Sequence, residues 1–149
     1  MSRSKAQIAH LMASPDDVEQ QFYEALREGD IDKLMALWSD EDDVVCVHPN
    51  GMRVVGPQAI RAAFEMAFAA GRIVAQPEDV KRVHSVDAAV HNLVERIEVS
   101  SAEGTMTGFV VATNVYMRGT QGWRMVAHHA NAGTPQEQPQ SAPPTSVLH

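Results

Sequence analysis

The chain has 149 residues, 44% hydrophobic and 21% charged, which is enough for one domain with a real core and unlike the make-up of a disordered chain. A formal net charge of −7, with Lys and Arg scattered no more densely than in pairs, argues against a nucleic-acid partner, because phosphate binding needs a basic stripe. The single Cys46 rules out an internal disulfide and a cysteine-based zinc site.

In chain order, Met1–Ala13 reads as an N-terminal arm that packs Ile8, Leu11 and Met12 on something. Its apolar patch, Ile8–Ala13, is interrupted by His10 and is too short for a signal core or a membrane span, so a cytoplasmic protein is the expectation. Ser14-Pro15-Asp16-Asp17 is a helix start, with serine as cap, proline in the first turn and acids at the positive end of the dipole. That helix runs to about Glu28 with Val18, Phe22, Ala25 and Leu26 on one face. Gly29-Asp30 stops it and caps a second helix, Ile31–Ser39, whose apolar face carries Ile31, Leu34, Leu37 and Trp38.

The acidic run Asp40–Asp43 lacks the spacing of an EF-hand and reads as a loop. Val44–His48 is a short strand ending at a Pro49-Asn50-Gly51 turn, with Cys46 a buried, inert thiol. A third helix spans Pro57–Ala70, with Ile60, Ala63, Phe64, Ala67 and Phe68 as its stripe, and Gly71 ends it. The period then changes. Arg72–Ser85, Ala88–Ser100, Thr105–Arg118 and Trp123–Asn131 read as long strands. Pro77 marks the first of them as an edge strand or an interrupted one. The tail beyond Gly133, rich in Pro, Gln and Ser, reads as disordered, which leaves 15–133 as the domain.

The prediction is therefore an α+β fold in which three N-terminal helices pack on one face of a strongly curved, mostly antiparallel sheet, enclosing a conical cavity. A tight loop at Thr120-Gln121 pairs Arg118 with Trp123, Tyr116 with Met125, Asn114 with Ala127 and Ala112 with His129. In that register Asn114, Tyr116, Trp123, Met125, His129 and Asn131 face the cavity, and Val115, Val126 and His128 face away; a bulge would swap the faces.

The segments Phe22–Trp38, Val47–Phe64 and Val115–Asn131, with Gly122-Trp123-Arg124 and His128-His129-Ala130-Asn131, together resemble the nuclear-transport-factor-2-like superfamily. That superfamily includes SnoaL-like polyketide cyclases and ketosteroid isomerases. The last segment also resembles the association domain of calcium/calmodulin-dependent protein kinases. The resemblance spans about Asp16–Gly133 and implies the cone-shaped fold. A ketosteroid isomerase places an aspartate base before a Pro-x-Gly turn, where this chain has His48. It builds its oxyanion hole from a tyrosine and a protonated aspartic acid, at positions matching Phe22 and Asn114 here. A phenyl ring cannot donate a hydrogen bond, whereas the Asn114 amide can.

The chemistry so implied is proton transfer on a small, largely apolar carbonyl-type molecule. His48 would be the general base, Asn114 or His129 would stabilise the oxyanion, and Phe22, Trp38, Phe64, Tyr116, Met125 and Asn131 would line the pocket. No G-x-G-x-x-G or P-loop is present, so no cofactor is expected. No metal is expected either, since His48 and His129 lack an identifiable third ligand. The alternative is a non-catalytic binding or assembly module, a homodimer through the open face of the sheet.

Overall fold

A computed structural model describes residues 12–71 and 73–133. The expected packing of Ile8 and Leu11 and the disordered tail fall outside these residues. Helix α1, Pro15–Glu28, begins where Ser14 Oγ accepts the Asp17 N–H at 3.1 Å, and ends at Gly29, whose left-handed φ of 67° glycine adopts without the Cβ penalty of other residues. Helix α2, Ile31–Leu37, is capped by Asp30, which accepts the Lys33 N–H at 3.0 Å; it ends two residues before the expected Ser39. Strands β1, Val45–Val47, and β2, Arg53–Val55, flank the Pro49–Gly51 turn. Helix α3 follows at Pro57–Ala70.

The four long strands are β3 (Ile73–His84), β4 (Ala88–Ser101), β5 (Gly104–Gly119) and β6 (Gly122–Ala132). The sheet order is β2-β1-β6-β5-β4-β3, antiparallel throughout except for the β1–β6 pair. Strand β3 is an edge, as Pro77 required. Its pairing with β4 is broken by a bulge between Glu78 and Lys81, where Asp79 takes a left-handed φ of 51°.

The helices lie on one face of the sheet, and the core between the layers holds Val18, Phe22, Leu34, Leu37, Trp38, Ile60, Phe64, Leu93, Tyr116 and Met125. Each large apolar side chain so buried contributes about 1.5–3 kcal/mol. Met12 joins this core, as expected of the arm. Its carbonyl accepts the Trp123 N–H at 2.8 Å, and it lies so close to Gly122 that a Cβ there would stand 2.7 Å from that oxygen. Among the described residues no helix is long and apolar enough to cross a membrane.

The expected hairpin register is right only near the turn. Arg118 pairs with Trp123 and Tyr116 with Met125, but Val115 pairs with Ala127, so that Val126 is an extra residue on β6. Beyond this bulge the faces exchange, and Asn114 lies opposite His128, not Ala127. His128 is buried among the helices, while His129 and Asn131, both expected in the cavity, are exposed on the open face. The physical reason is that one added residue shifts the two-residue alternation by one.

Candidate functional site

His48 stands at the end of β1, fixed by a turn in which its N–H donates to Met52 O (3.0 Å) and its carbonyl accepts the Gly51 N–H (2.8 Å). Its ring is half-buried, edge-on to Phe64 with centroids 5.2 Å apart, and its Nε2 lies 3.7 Å from Cys46 Sγ. Burial lowers the imidazole pKa, which keeps the ring neutral and able to accept a proton near pH 7. Cys46 itself is inert: burial, helped by the charge of Glu95, pushes its thiol up to about 12.

Inside the cone lies a polar cluster on apolar walls. The Asn114 Nδ2–H donates to Tyr23 Oη at 3.1 Å, and the Tyr23 hydroxyl donates to Glu95 Oε2 at 2.6 Å. Across the ladder, His128 Nδ1–H donates to Asn114 Oδ1 at 2.5 Å. That bond fixes the tautomer, so the lone pair of His128 Nε2 is free, 3.9 Å from Glu95 Oε2. The loop of contacts Tyr23–Glu95–His128–Asn114 is thus closed. Phe22 packs on it, 5.1 Å from Tyr23 and 5.2 Å from His128 between ring centroids.

Burial decides the charges here. It raises the Glu95 carboxyl to about 7, against the Tyr23 hydrogen bond that favours the carboxylate; the charge of Glu19 adds to the rise. Burial also takes His128 down to about 3, helped by repulsion from His48 and His129, so this ring stays neutral. Tyr23 is pushed well above its ordinary value, chiefly by burial. A carboxyl poised near neutrality beside a neutral imidazole is a proton donor or acceptor that costs little to use.

A second cluster centres on Glu19, 4% exposed. Its Oε2 accepts the Tyr116 hydroxyl at 2.8 Å and His91 Nδ1–H at 2.7 Å, and His91 Nε2 meets His84 Nε2 at 3.0 Å. Glu19 and Tyr23 both line a cleft of about 640 Å³ between α1 and β3, whose other walls include Gln20, Arg27, Gln76 and Arg82. This cleft is polar, whereas the expected pocket was apolar. Among the described residues no group of three or more His, Cys, Asp or Glu side chains is placed to hold a metal.

Of the residues expected at the site, Phe22, Trp38, Phe64, Asn114, Tyr116 and Met125 are buried in the core, His48 flanks it through Phe64, and His129 and Asn131 point away. Trp38 contributes packing, and its Nε1 has no hydrogen-bond partner among the described residues. Sequence reasoning missed Glu19, Tyr23, His91 and Glu95 and put His128 on the wrong face. A signal existed. Glu19 and Tyr23 lie one turn apart beside the apolar stripe of α1, and His91 and Glu95 alternate with Leu93 and Ile97 on the inner face of β4.

Comparison with known proteins settles the lineage. The profile of the SnoaL-like domain matches residues 16–134. The chain belongs to the SnoaL-like family. It is thereby a member of the NTF2-like superfamily, with the α+β cone of that group. Among solved structures, a Thiobacillus denitrificans protein provisionally described as a calcium/calmodulin-dependent protein kinase type II association domain is 32% identical. The match covers 83% of this chain and 98% of that one, with a TM-score of 0.75. An NTF2-like protein of Streptomyces avermitilis, provisionally described as a dehydratase, is 27% identical over 78% of this SnoaL-like chain and 92% of its own (TM-score 0.71). The hub of the S. rosetta kinase CaMKII, 20% identical over 81% of this chain and 98% of its own, shares the fold at a TM-score of 0.63. No curated protein matches the sequence.

Proposed function

We propose that this SnoaL-like domain binds a small carbonyl-type molecule and moves a proton on it, with His48 and the Glu95 cluster as its acid–base groups. The observation that carries this reading is the closed contact loop Tyr23–Glu95–His128–Asn114, buried beneath Phe22 and built around a carboxyl near neutrality. His48, neutral and half-exposed, would take a proton α to the carbonyl or activate water. Tyr23 and Asn114 would supply hydrogen bonds to the developing oxyanion. Isomerisation, cyclisation, dehydration and hydrolysis all use these steps, and the dehydratase description of the S. avermitilis relative agrees with the class.

The test is deuterium incorporation from D2O at the α-carbon of a panel of apolar ketones, read by mass spectrometry. The wild type should exchange at least one of them, and His48→Ala and Glu95→Gln should lose that exchange while keeping their melting temperatures within a few degrees. If no ketone in the panel is bound or exchanged, the reading fails.

A second reading, assembly, has its own observation. The open face of the sheet carries Val90 and Met117, 38% and 50% exposed, on either side of the half-buried Val115. The association-domain description of the T. denitrificans relative agrees with assembly, and a homodimer through this face is the form we propose. Sedimentation should find a dimer that Val115→Glu dissociates; a monomer at micromolar concentration would remove this reading.

A further inference from the structure

The Glu19 cluster differs from the Glu95 cluster in reaching solvent. His84 is exposed at the end of β3, and His91 is fully buried. Their ring centroids are 5.2 Å apart, their planes differ by 17°, and their Nε2 atoms are 3.0 Å apart, so the rings meet nearly head-on in one plane. A metal bridging two imidazoles needs about 2 Å to each nitrogen with the lone pairs converging at an angle, and head-on nitrogens at this separation leave it no room. An N–H···N hydrogen bond fits.

The rest of the cluster sets its direction. Glu19 Oε2 takes the proton of His91 Nδ1, so His91 Nε2 carries a lone pair and His84 Nε2–H donates to it. The outer nitrogen of the pair, His84 Nδ1, is therefore free to meet water. Every link from that nitrogen to the Glu19 carboxylate is a hydrogen bond of 3.0 Å or less between groups that can gain and lose a proton.

We infer that Glu19 is a second acid–base site, on the wall of the cleft between α1 and β3, whose proton exchanges with solvent through His91 and His84. Uptake runs in one direction. A proton from water bonds to His84 Nδ1, the His84 Nε2–H bond breaks as His91 Nε2–H forms, and the His91 Nδ1–H bond breaks as Glu19 Oε2–H forms. One positive charge enters, the carboxylate becomes a carboxylic acid, both rings end neutral, and the reverse sequence releases the proton. The charged and titratable groups facing this path are Asp16, whose Oδ1 is 4.0 Å from His91 Nε2, Arg82, which is paired with Asp16 at 2.8 Å, and Tyr116 from β5. With Gln20, Gln76 and Arg27 on its walls, the cleft would take a small polar molecule with a hydrogen-bonding group that gains or loses a proton. Tyr23 lines this cleft too and the Glu19 charge acts on Glu95, but Glu19, His91 and His84 have no part in the proposed carbonyl site, so the two assignments are tested on different residues.

The path has a signature that a static hydrogen-bond network lacks, because each transfer exchanges the tautomers of both rings. In the full-length labelled protein, the ¹³C shift of the Glu19 carboxyl and the ¹⁵N shifts of the two imidazoles are followed together by NMR against pH. As Glu19 takes its proton, His91 should change from the Nδ1–H to the Nε2–H form and His84 from Nε2–H to Nδ1–H. Glu19→Gln should hold His91 in the Nδ1–H form at every pH. His84→Ala, at an exposed position, should abolish the coupled change in His91. If His91 keeps Nδ1–H while Glu19 titrates, or becomes an imidazolium, the relay is refuted; persistence of the change in His84→Ala refutes it equally.

Discussion

Glu95 and Glu19 invite comparison because they are built from the same parts. Each is a buried carboxylate that accepts a tyrosine hydroxyl and lies near a buried histidine. They differ in what lies behind that histidine. His128 is backed by Asn114 and closes its cluster on itself, while His91 is backed by exposed His84 and opens its cluster to water. Asn114 belongs to the first cluster, where its amide donates to Tyr23 and accepts from His128. An amide holds both hydrogen bonds and relays no proton, so two acid–base systems can share one core without sharing a proton.

The largest expected effect comes from removing that partition. Asn114→Leu leaves the buried His128 Nδ1–H without its acceptor, at about 1–3 kcal/mol, and takes from Tyr23 the hydrogen bond it accepts while leaving the one it donates to Glu95. Denaturant unfolding should show a loss of several kcal/mol, and a loss below 1 would mean the cluster does not depend on this amide.

Next in size is the pH dependence, where the closed cluster has two opposed contributions. Glu95 is raised from 4.5 to about 7, so the stability from its protonated form is present below 4.5 and is lost as pH rises through about 7. His128 is lowered from 6.5 to about 3, so the stability from its neutral form is present above 6.5 and is lost as pH falls through about 3. Between 4.5 and 6.5 the two slopes cancel. Glu95→Gln removes one of them. Relative to wild type, its stability should fall across that window by on the order of 1 kcal/mol for each unit of acidification. Parallel curves for the two proteins would show that the pair is not opposed.

Tyrosine removal measures the asymmetry directly. Tyr23→Phe deprives Glu95 of its short 2.6 Å donor and should cost about 1–3 kcal/mol, raising the carboxyl pKa further. Tyr116→Phe should cost less, because Glu19 keeps His91. Equal losses in thermal unfolding would erase the distinction. The smallest effect belongs to His84→Ala, which removes an exposed side chain together with one hydrogen bond to His91 Nε2 and should cost about 1 kcal/mol in thermal unfolding.

Much of this fold can be read from the residues, because its signals are local. Ser14-Pro15, Gly29-Asp30 and Gly56-Pro57 place the helix boundaries through capping and φ alone, and α3 begins and ends at the expected residues. The strand alternation is local too, until β6. There Val126 and Ala127 are both apolar and fit either face, so nothing nearby marks the inserted residue, and the identity of the inward histidine was lost with it. The acidic members were hidden for a different reason. A carboxylate among apolar neighbours reads as a solvated position unless its partners are known, and the hydrogen-bond donors to Glu19 and Glu95 lie 72 residues away or more in the chain.

The bulge at Glu78–Lys81 and the proline before it bear on how copies of this molecule can meet. Among the described residues strand β3 is the sheet's long free rim, and a straight rim of unpaired amides would be a template for runaway strand addition. Pro77 removes one donor from that rim and the bulge bends it, while the opposite rim, β2, is three residues long. Neither end of the sheet offers an incoming strand a ladder to extend. Growth into fibres by strand addition is thereby disfavoured at both rims.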